Sequence, residues 1–129
     1  MKRLYYPVVF HPEDFGYSVS VPDLDGCFSQ GDTLDEAVEM VQDAIGLYLA
    51  DEKEYPAPSA PHSIKTHGQD FMMVIPFDEM SYKRKHDTRA VKKTLTIPSW
   101  LNEAAESAHI NFSSVLQEGL KNQLHITDR

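Results

Sequence analysis

The chain has 129 residues, 41% of them hydrophobic and 25% charged, which suits a globular protein with one modest core and a small appendage. No apolar run approaches the ~20 residues of a membrane-spanning helix, and a single cysteine, Cys27, excludes an internal disulfide and a cysteine-based zinc site. The net charge of −8 is uneven: residues 1–80 hold 15 acids against 4 bases and residues 81–129 hold 8 bases against 5 acids, an acidic front and a basic rear that point to two partners of opposite charge.

The basic start of the chain leads into a short apolar stretch that meets Glu13 and Asp14 with no small-residue cleavage site. It is expected to be mature protein, not a signal peptide, working in a reducing cytoplasm. Leu4–Phe10 and Gly16–Pro22 read as strands. The second alternates Tyr17, Val19 and Val21 against Ser18 and Ser20, and "HPEDFG" between the two has the Pro and Gly of a hairpin connection. Leu24–Gly31 reads as a short third strand between Gly26 and Gly31. Thr33, followed three residues later by Glu36, is a capping box. Behind it, Leu34, Ala37, Val38, Val41, Ile45, Tyr48 and Leu49 recur at helical spacing, which predicts a helix from Leu34 to Ala50. Three prolines in "PAPSAP" then stop it. Gln69–Phe77 is apolar enough for a central fourth strand. The order β-β-β-α-β is an α+β arrangement, a sheet with one face under one helix.

"YYPVVFHPEDFGYSVSVPDLDGCFSQGDTLDEAVEMVQDAI", Tyr5 to Ile45, resembles the HicB family of antitoxins. The family pattern joins a strand, an acidic turn, a "GY…VPDLPGC.S.G.T..EA" core and the helix; here Asp25 stands where a proline is common. The resemblance implies a partial ribonuclease-H-like fold that is not a nuclease. It also implies a partner: a HicA-like toxin, a small RNA-cleaving protein that this domain blocks. An acidic domain suits a basic RNA-binding toxin, because complementary charge speeds encounter and sets orientation. Glu39 and Asp43 of the helix are candidate contacts.

Independent chemistry in this part is sparse. A ribonuclease-H reaction needs several carboxylates around two metal ions. Asp23 and Asp25 sit two residues apart, yet no further acids fall where they would join them, and turn chemistry around Gly26 explains both. His62 and His67 lie five apart in the proline-rich loop without a carboxylate partner. Cys27 reads as a small buried apolar residue. No cofactor, metal or catalytic residue is expected.

Asp78–Arg89, with Lys83, Arg84, Lys85 and Arg89, lacks periodicity and reads as a basic linker, 81–89 between domains over 1–80 and 90–129. "AVKKTLTIP" then alternates like a strand: Val91, Lys93, Leu95 and Ile97 on one face, Lys92, Thr94 and Thr96 on the other. A short helix follows from Ser99 with Trp100, Leu101, Ala104, Ala105 and Ala108. Asn111 caps a second helix with Phe112, Val115, Leu116, Leu120 and Leu124 on one face. Strand, helix, helix in so few residues has too little core alone, and a lone strand has unpaired edges. Two copies solve both problems, with an antiparallel ribbon over four interlocked helices. "KKTLTIPSWLNEAAE…INFSSVLQEGL" resembles the ribbon–helix–helix family, although it lacks the arginine often carried in the strand or second-helix cap. That resemblance implies homodimerisation through the C-terminal domain, with dimers able to pair further on repeated half-sites, and operator DNA as partner. Lys92, Thr94 and Thr96 would face the bases, and the amides near Asn111, Ser113 and Ser114 would grip a phosphate. The sequence as a whole reads as an antitoxin and autorepressor with no membrane association. An orphan repressor without a toxin is the alternative.

Overall fold

A computed structural model describes residues 2–127. The chain divides into two compact units, Met1–Arg89 and Ala90–Arg129. It is a mixed α+β protein, and among the described residues no helix is long and apolar enough to cross a membrane.

The first unit is built around β1 (Arg3–Pro12). It pairs antiparallel with β2 (Tyr17–Ser20) on one side and β4 (Phe71–Asp78) on the other. A short edge strand, β3 (Phe28–Gly31), pairs with β2, so the sheet order is β3-β2-β1-β4. The register sets Phe10 opposite both Val19 and Phe71, and Tyr6 opposite Ile75. Because side chains alternate along strands, this gathers Tyr6, Val8, Phe10, Val19, Ile75 and Phe77 on one face. Helix α1 (Leu34–Ala50) covers that face with Ala37, Val41, Ile45 and Leu49, and all ten side chains are buried. The helix has the predicted bounds because its cap is local. Thr33 Oγ1 accepts from the Glu36 amide at 3.1 Å, and the Glu36 carboxylate reaches back to the Asp32 amide.

Three differences from the sequence reading have physical causes. First, the third strand starts at Phe28, not Leu24. Residues 21–27 form a compact turn in which Val21 donates to the Cys27 carbonyl and Cys27 to the Leu24 carbonyl, with Gly26 at φ +80°. Leu24 and Cys27 are apolar because they plug the core, not because they alternate in a ladder. Second, most of the stretch expected as an irregular basic linker is helical: α2 spans Glu79–His86. Asp78 caps it through the Met80 amide, Glu79 lies in its first turn, and Lys83, Arg84, Lys85 and His86 lie in its last, the charge order a helix dipole favours. Few of its residues are apolar, so no periodicity announced it. Third, the proline-rich segment is tied down. The Tyr6 hydroxyl donates to the Pro56 carbonyl at 2.7 Å, and burial, aided by Asp23, pushes the Tyr6 pKa up to about 12. Pro61–Ser63 adds one 3₁₀ turn.

The second unit contains α3 (Ser99–Ser107) and α4 (Phe112–Gln123). Asn111 caps α4 by accepting from the Ser114 amide at 3.1 Å, as the sequence predicts. Both helices close with a histidine at positive φ, His109 and His125, followed by an amide that reaches back five residues, Ile110 to Ala105 and Ile126 to Lys121. Residues 90–98 have no regular structure. The strand expected over 91–97 has no ladder within the described residues, since a strand exists only against a neighbour.

Gly31 lets β3 approach α1: a Cβ there would lie 2.6 Å from the Ala37 Cα and 2.8 Å from the Glu36 carbonyl carbon. These are backbone atoms that cannot swing away. Gly31→Ala is expected to destabilise the first unit by about 2 kcal/mol, at the level of other overpacked cores. Urea unfolding measures this, and an unchanged midpoint would show that the two elements can separate freely.

Candidate functional site

In the first unit the candidate residues fall into separate places. Asp23 is committed to structure: its carboxylate accepts from the Ser59 amide at 2.8 Å and from the Ser59 hydroxyl, which fixes the proline-rich segment. Asp25 is exposed in the turn before Gly26. The two acids therefore do not converge, and among the described residues no group of three or more His, Cys, Asp or Glu side chains is placed to hold a metal ion. His62 and His67 are exposed in their loop. Cys27 is buried, and burial pushes its thiol pKa up, away from reactive thiolate.

The sheet face opposite α1 holds a constellation that sequence reading missed. His11 places Nδ1 2.7 Å from Asp70 Oδ2 and Nε2 3.1 Å from Ser20 Oγ. The connectivity is carboxylate, imidazole, hydroxyl. The group ties β1 to β2 and to the residue just before β4, on a sheet face. The polar alternation of Ser18 and Ser20 was legible; Asp70, 59 positions from His11, joins only through the β1–β4 pairing.

The α1–α2 junction concentrates charge. Asp43 of α1 receives Lys85 Nζ at 3.2 Å and His86 Nε2 at 3.3 Å, and Lys85 also lies 3.5 Å from Glu39. The helices meet where Tyr82 lies over Gly46, whose absent side chain makes the room; a Cβ there would be 2.7 Å from the ring carbon bearing the hydroxyl. Tyr82 also packs on Phe77 and His86. The start of α2 is anchored by reciprocal bonds between Lys2 and Glu79: the Lys2 amide donates to the Glu79 carboxylate and the Glu79 amide to the Lys2 carbonyl. A cleft of about 260 Å³ opens between α1, α2 and β4, lined by Arg3, Gln42, Asp43, Asp78 and Lys85 among others. The basic residues of the segment expected as a linker make ion pairs within this unit: Lys83 with Glu79, Lys85 with Asp43, Arg89 with Asp87.

In the second unit Lys92, Thr94 and Thr96 are all exposed along the segment before α3. Asn111, Ser113 and Ser114 are brought together at the start of α4, where Ser113 Oγ also accepts from Gln117. The apolar residues are exposed too: Trp100 is 70% accessible, and Leu95, Val115, Leu120 and Leu124 lie between half and two-thirds. Among the described residues, neither α3 nor α4 has a single buried side chain.

A family model described as a HicB-like antitoxin of bacterial toxin–antitoxin systems matches residues 6–119, nearly the whole of this architecture. The chain belongs to the HicB-like antitoxin family. An uncharacterised 14.9 kDa protein of Haemophilus phage HP1 is 32% identical over 102 residues, 74% of each chain. Antitoxin HicB 2 of Photorhabdus laumondii is 36% identical over 77 residues, 57% of this chain, and the match spans about half, 51%, of that longer protein. In structure, this HicB-like chain is similar to a chain of a toxin–antitoxin complex from Streptococcus pneumoniae, with TM-score 0.58 and 24% identity over 95% of this chain and 99% of that one. It is also similar to the crystal structure of antitoxin HicB3, with TM-score 0.50 and 22% identity over 97% and 100%. Both likenesses are of fold.

Burial works against the Asp43 carboxylate, but the hydrogen bonds and charges of Lys85 and His86 outweigh it and hold its pKa below the usual 3.8. A carboxylate depressed in this way adds stability that is complete above its unfolded pKa and disappears as pH falls through the folded one. Asp43→Asn is therefore expected to lower stability at neutral pH, by at most about 1 kcal/mol for so accessible a pair. The gap to wild type should close as pH drops below 3.8. Thermal melts across pH measure it; a gap independent of pH would mean the pair carries no weight.

Proposed function

We propose that this HicB-like chain is an antitoxin and autorepressor. Its acidic N-terminal unit binds and blocks a HicA-like toxin, a small basic RNA-cleaving protein, by occlusion, and no catalysis by this chain is required. Its C-terminal unit dimerises and binds operator DNA, that of its own operon. The setting is the cytoplasm, where messenger RNA and operator both lie.

The observation that carries the C-terminal half is the bare apolar face of α3 and α4 beside an unpaired strand-like segment. Leaving side chains such as Trp100, Val115 and Leu120 in water forfeits ~1.5–3 kcal/mol each. A second copy recovers it by setting the helices of both chains together. The same step pairs the two 91–97 segments as an antiparallel ribbon, so the strand–helix–helix order supports a ribbon–helix–helix reading. In that ribbon Lys92, Thr94 and Thr96 point away from the helices, toward base edges of a major groove. The α4 amides at Asn111, Ser113 and Ser114 sit at the positive end of a helix dipole, suited to a phosphate. For the first unit, the β-β-β-α-β order supports a partial ribonuclease-H-like reading, and family membership together with the excess of acid supports toxin binding.

Co-expression of the tagged chain with its neighbouring genes tests the toxin. A small basic protein should be retained in high salt and cleave RNA once separated. Nothing retained would leave an orphan dimeric repressor instead. For the DNA role, Lys92→Ala and Thr94→Ala should each weaken specific operator binding by about 1–3 kcal/mol in titrations while sedimentation still shows a dimer. Loss of the dimer in either variant would mean that the wrong face was assigned outward.

Gly119 offers a second test. It lies inside α4 on the side of Phe112, Val115 and Leu116, and, its chain neighbours and the helix's own backbone aside, no atom of the described residues lies within 4 Å of where its Cβ would be. In an isolated helix Gly119→Ala should stabilise by about 1 kcal/mol. If the partner's helix crosses there, the same change should weaken dimerisation, measured as a rise in the dimer dissociation constant.

A further inference from the structure

We propose that the solvent face of α1 is the docking surface for the basic toxin, with Met40 and Leu47 as its apolar anchors and Glu36, Glu39 and Asp43 as the charges that orient it. The proposal rests on the toxin-binding reading above.

Glu36, Met40, Asp43 and Leu47 follow one another at spacings of four, three and four, so they form one row along the helix, opposite the buried Ala37, Val41, Ile45 and Leu49. Positions on such a row are ordinarily polar. Here Leu47 is 69% and Met40 43% exposed. The acids of the helix have no local compensation: α1 contains Asp35, Glu36, Glu39 and Asp43 and not one Lys or Arg. Asp35–Glu39 and Glu39–Asp43 are like-charge pairs at i,i+4, an arrangement that works against the helix, and the dipole rewards only the acids of the first turn. Something cationic is needed to relieve that repulsion. The chain relieves part of it itself, by laying Lys85 and His86 of α2 on Asp43 and the edge of Glu39. Glu39 nevertheless stays largely open, and Glu36 is exposed and makes only a long contact to the Asp32 amide.

A basic protein meets here both things an interface uses: accessible carboxylates that steer it, Glu36 and Glu39 above all, and exposed apolar side chains beside them that desolvate on contact. The open sheet face is the competing surface. It exposes Tyr5, Phe28 and Val74, but its charges are answered within the chain, Asp70 by His11 and Glu13 by Ser18, and Arg3 lies over Tyr5. A cationic partner finds less there.

The test uses the full chain and the purified small basic protein captured by co-expression. Met40→Lys/Leu47→Lys places cations in the row at exposed positions, outside the core and outside the unit that carries the proposed DNA-binding residues. Its dissociation constant for the toxin should rise by about 100-fold or more, with slower association that salt no longer modulates, while the melting temperature and operator binding stay at wild-type values. Val74→Lys, on the other face, should bind the toxin as wild type does. Normal toxin binding by the α1 double variant, with loss in Val74→Lys, overturns the assignment and moves the toxin to the open sheet, leaving the antitoxin reading intact. Failure of the wild-type chain itself to bind any neighbouring basic protein overturns both.

Discussion

Strand β1 is the constraint on which the first unit depends. It is hydrogen-bonded on both edges, to β2 directly after it in sequence and to β4 some sixty residues later. That second pairing is the costly one, since the chain must close a long loop before any ladder bond is made. Once made, it brings Phe71 against Phe10, Ile75 against Tyr6 and Glu79 beside Lys2. The core under α1, the cross-strand group at His11 and the anchoring of α2 all follow from it.

The second unit has no comparable centre. Its helices are locally complete, with an Asn111 cap and a histidine closure at each C-terminus, yet among the described residues neither helix has a buried side chain. Local bonds can shape a helix; only tertiary or quaternary contact can reward its apolar stripe. One chain thus joins a unit that satisfies itself to one whose apolar faces stay exposed, which supports the proposed pairing of two copies. This division suits a protein of two proposed tasks, one done by a monomeric surface and one by a paired ribbon.

Electrostatics follows the same division. Helix α1 carries four of the fifteen acids of residues 1–80 with no basic residue among them, and α2 lays Lys85 and His86 on Asp43 and Lys85 beside Glu39. The lysines of α2 serve the first unit as helix-terminal charges and ion pairs. Lys92 and Lys93 are exposed on the segment before α3.

What could be read without coordinates was whatever short-range chemistry settles. The bounds of α1 follow from Thr33, Glu36 and a 3.6-residue apolar period. The cap of α4 follows from Asn111. The HicB-like family itself was legible in residues 5–45, because the acidic turn, the Gly26–Cys27 corner and the helix start keep fixed spacings. The structure alone decided what depends on distant partners. Leu24 and Cys27 turned out to be core plugs in a turn, because the space they fill is made by other elements. Helix α2 formed where no periodicity predicted one, since its stability comes from Tyr82 on Gly46 and from Lys85 and His86 on Asp43. Asp23 went to Ser59 and Asp70 to His11 through contacts that no local pattern encodes. Sequence by itself determined the elements with caps and periods of their own; tertiary structure decided every residue whose partner lies far along the chain, because the free energy that places it comes from that partner.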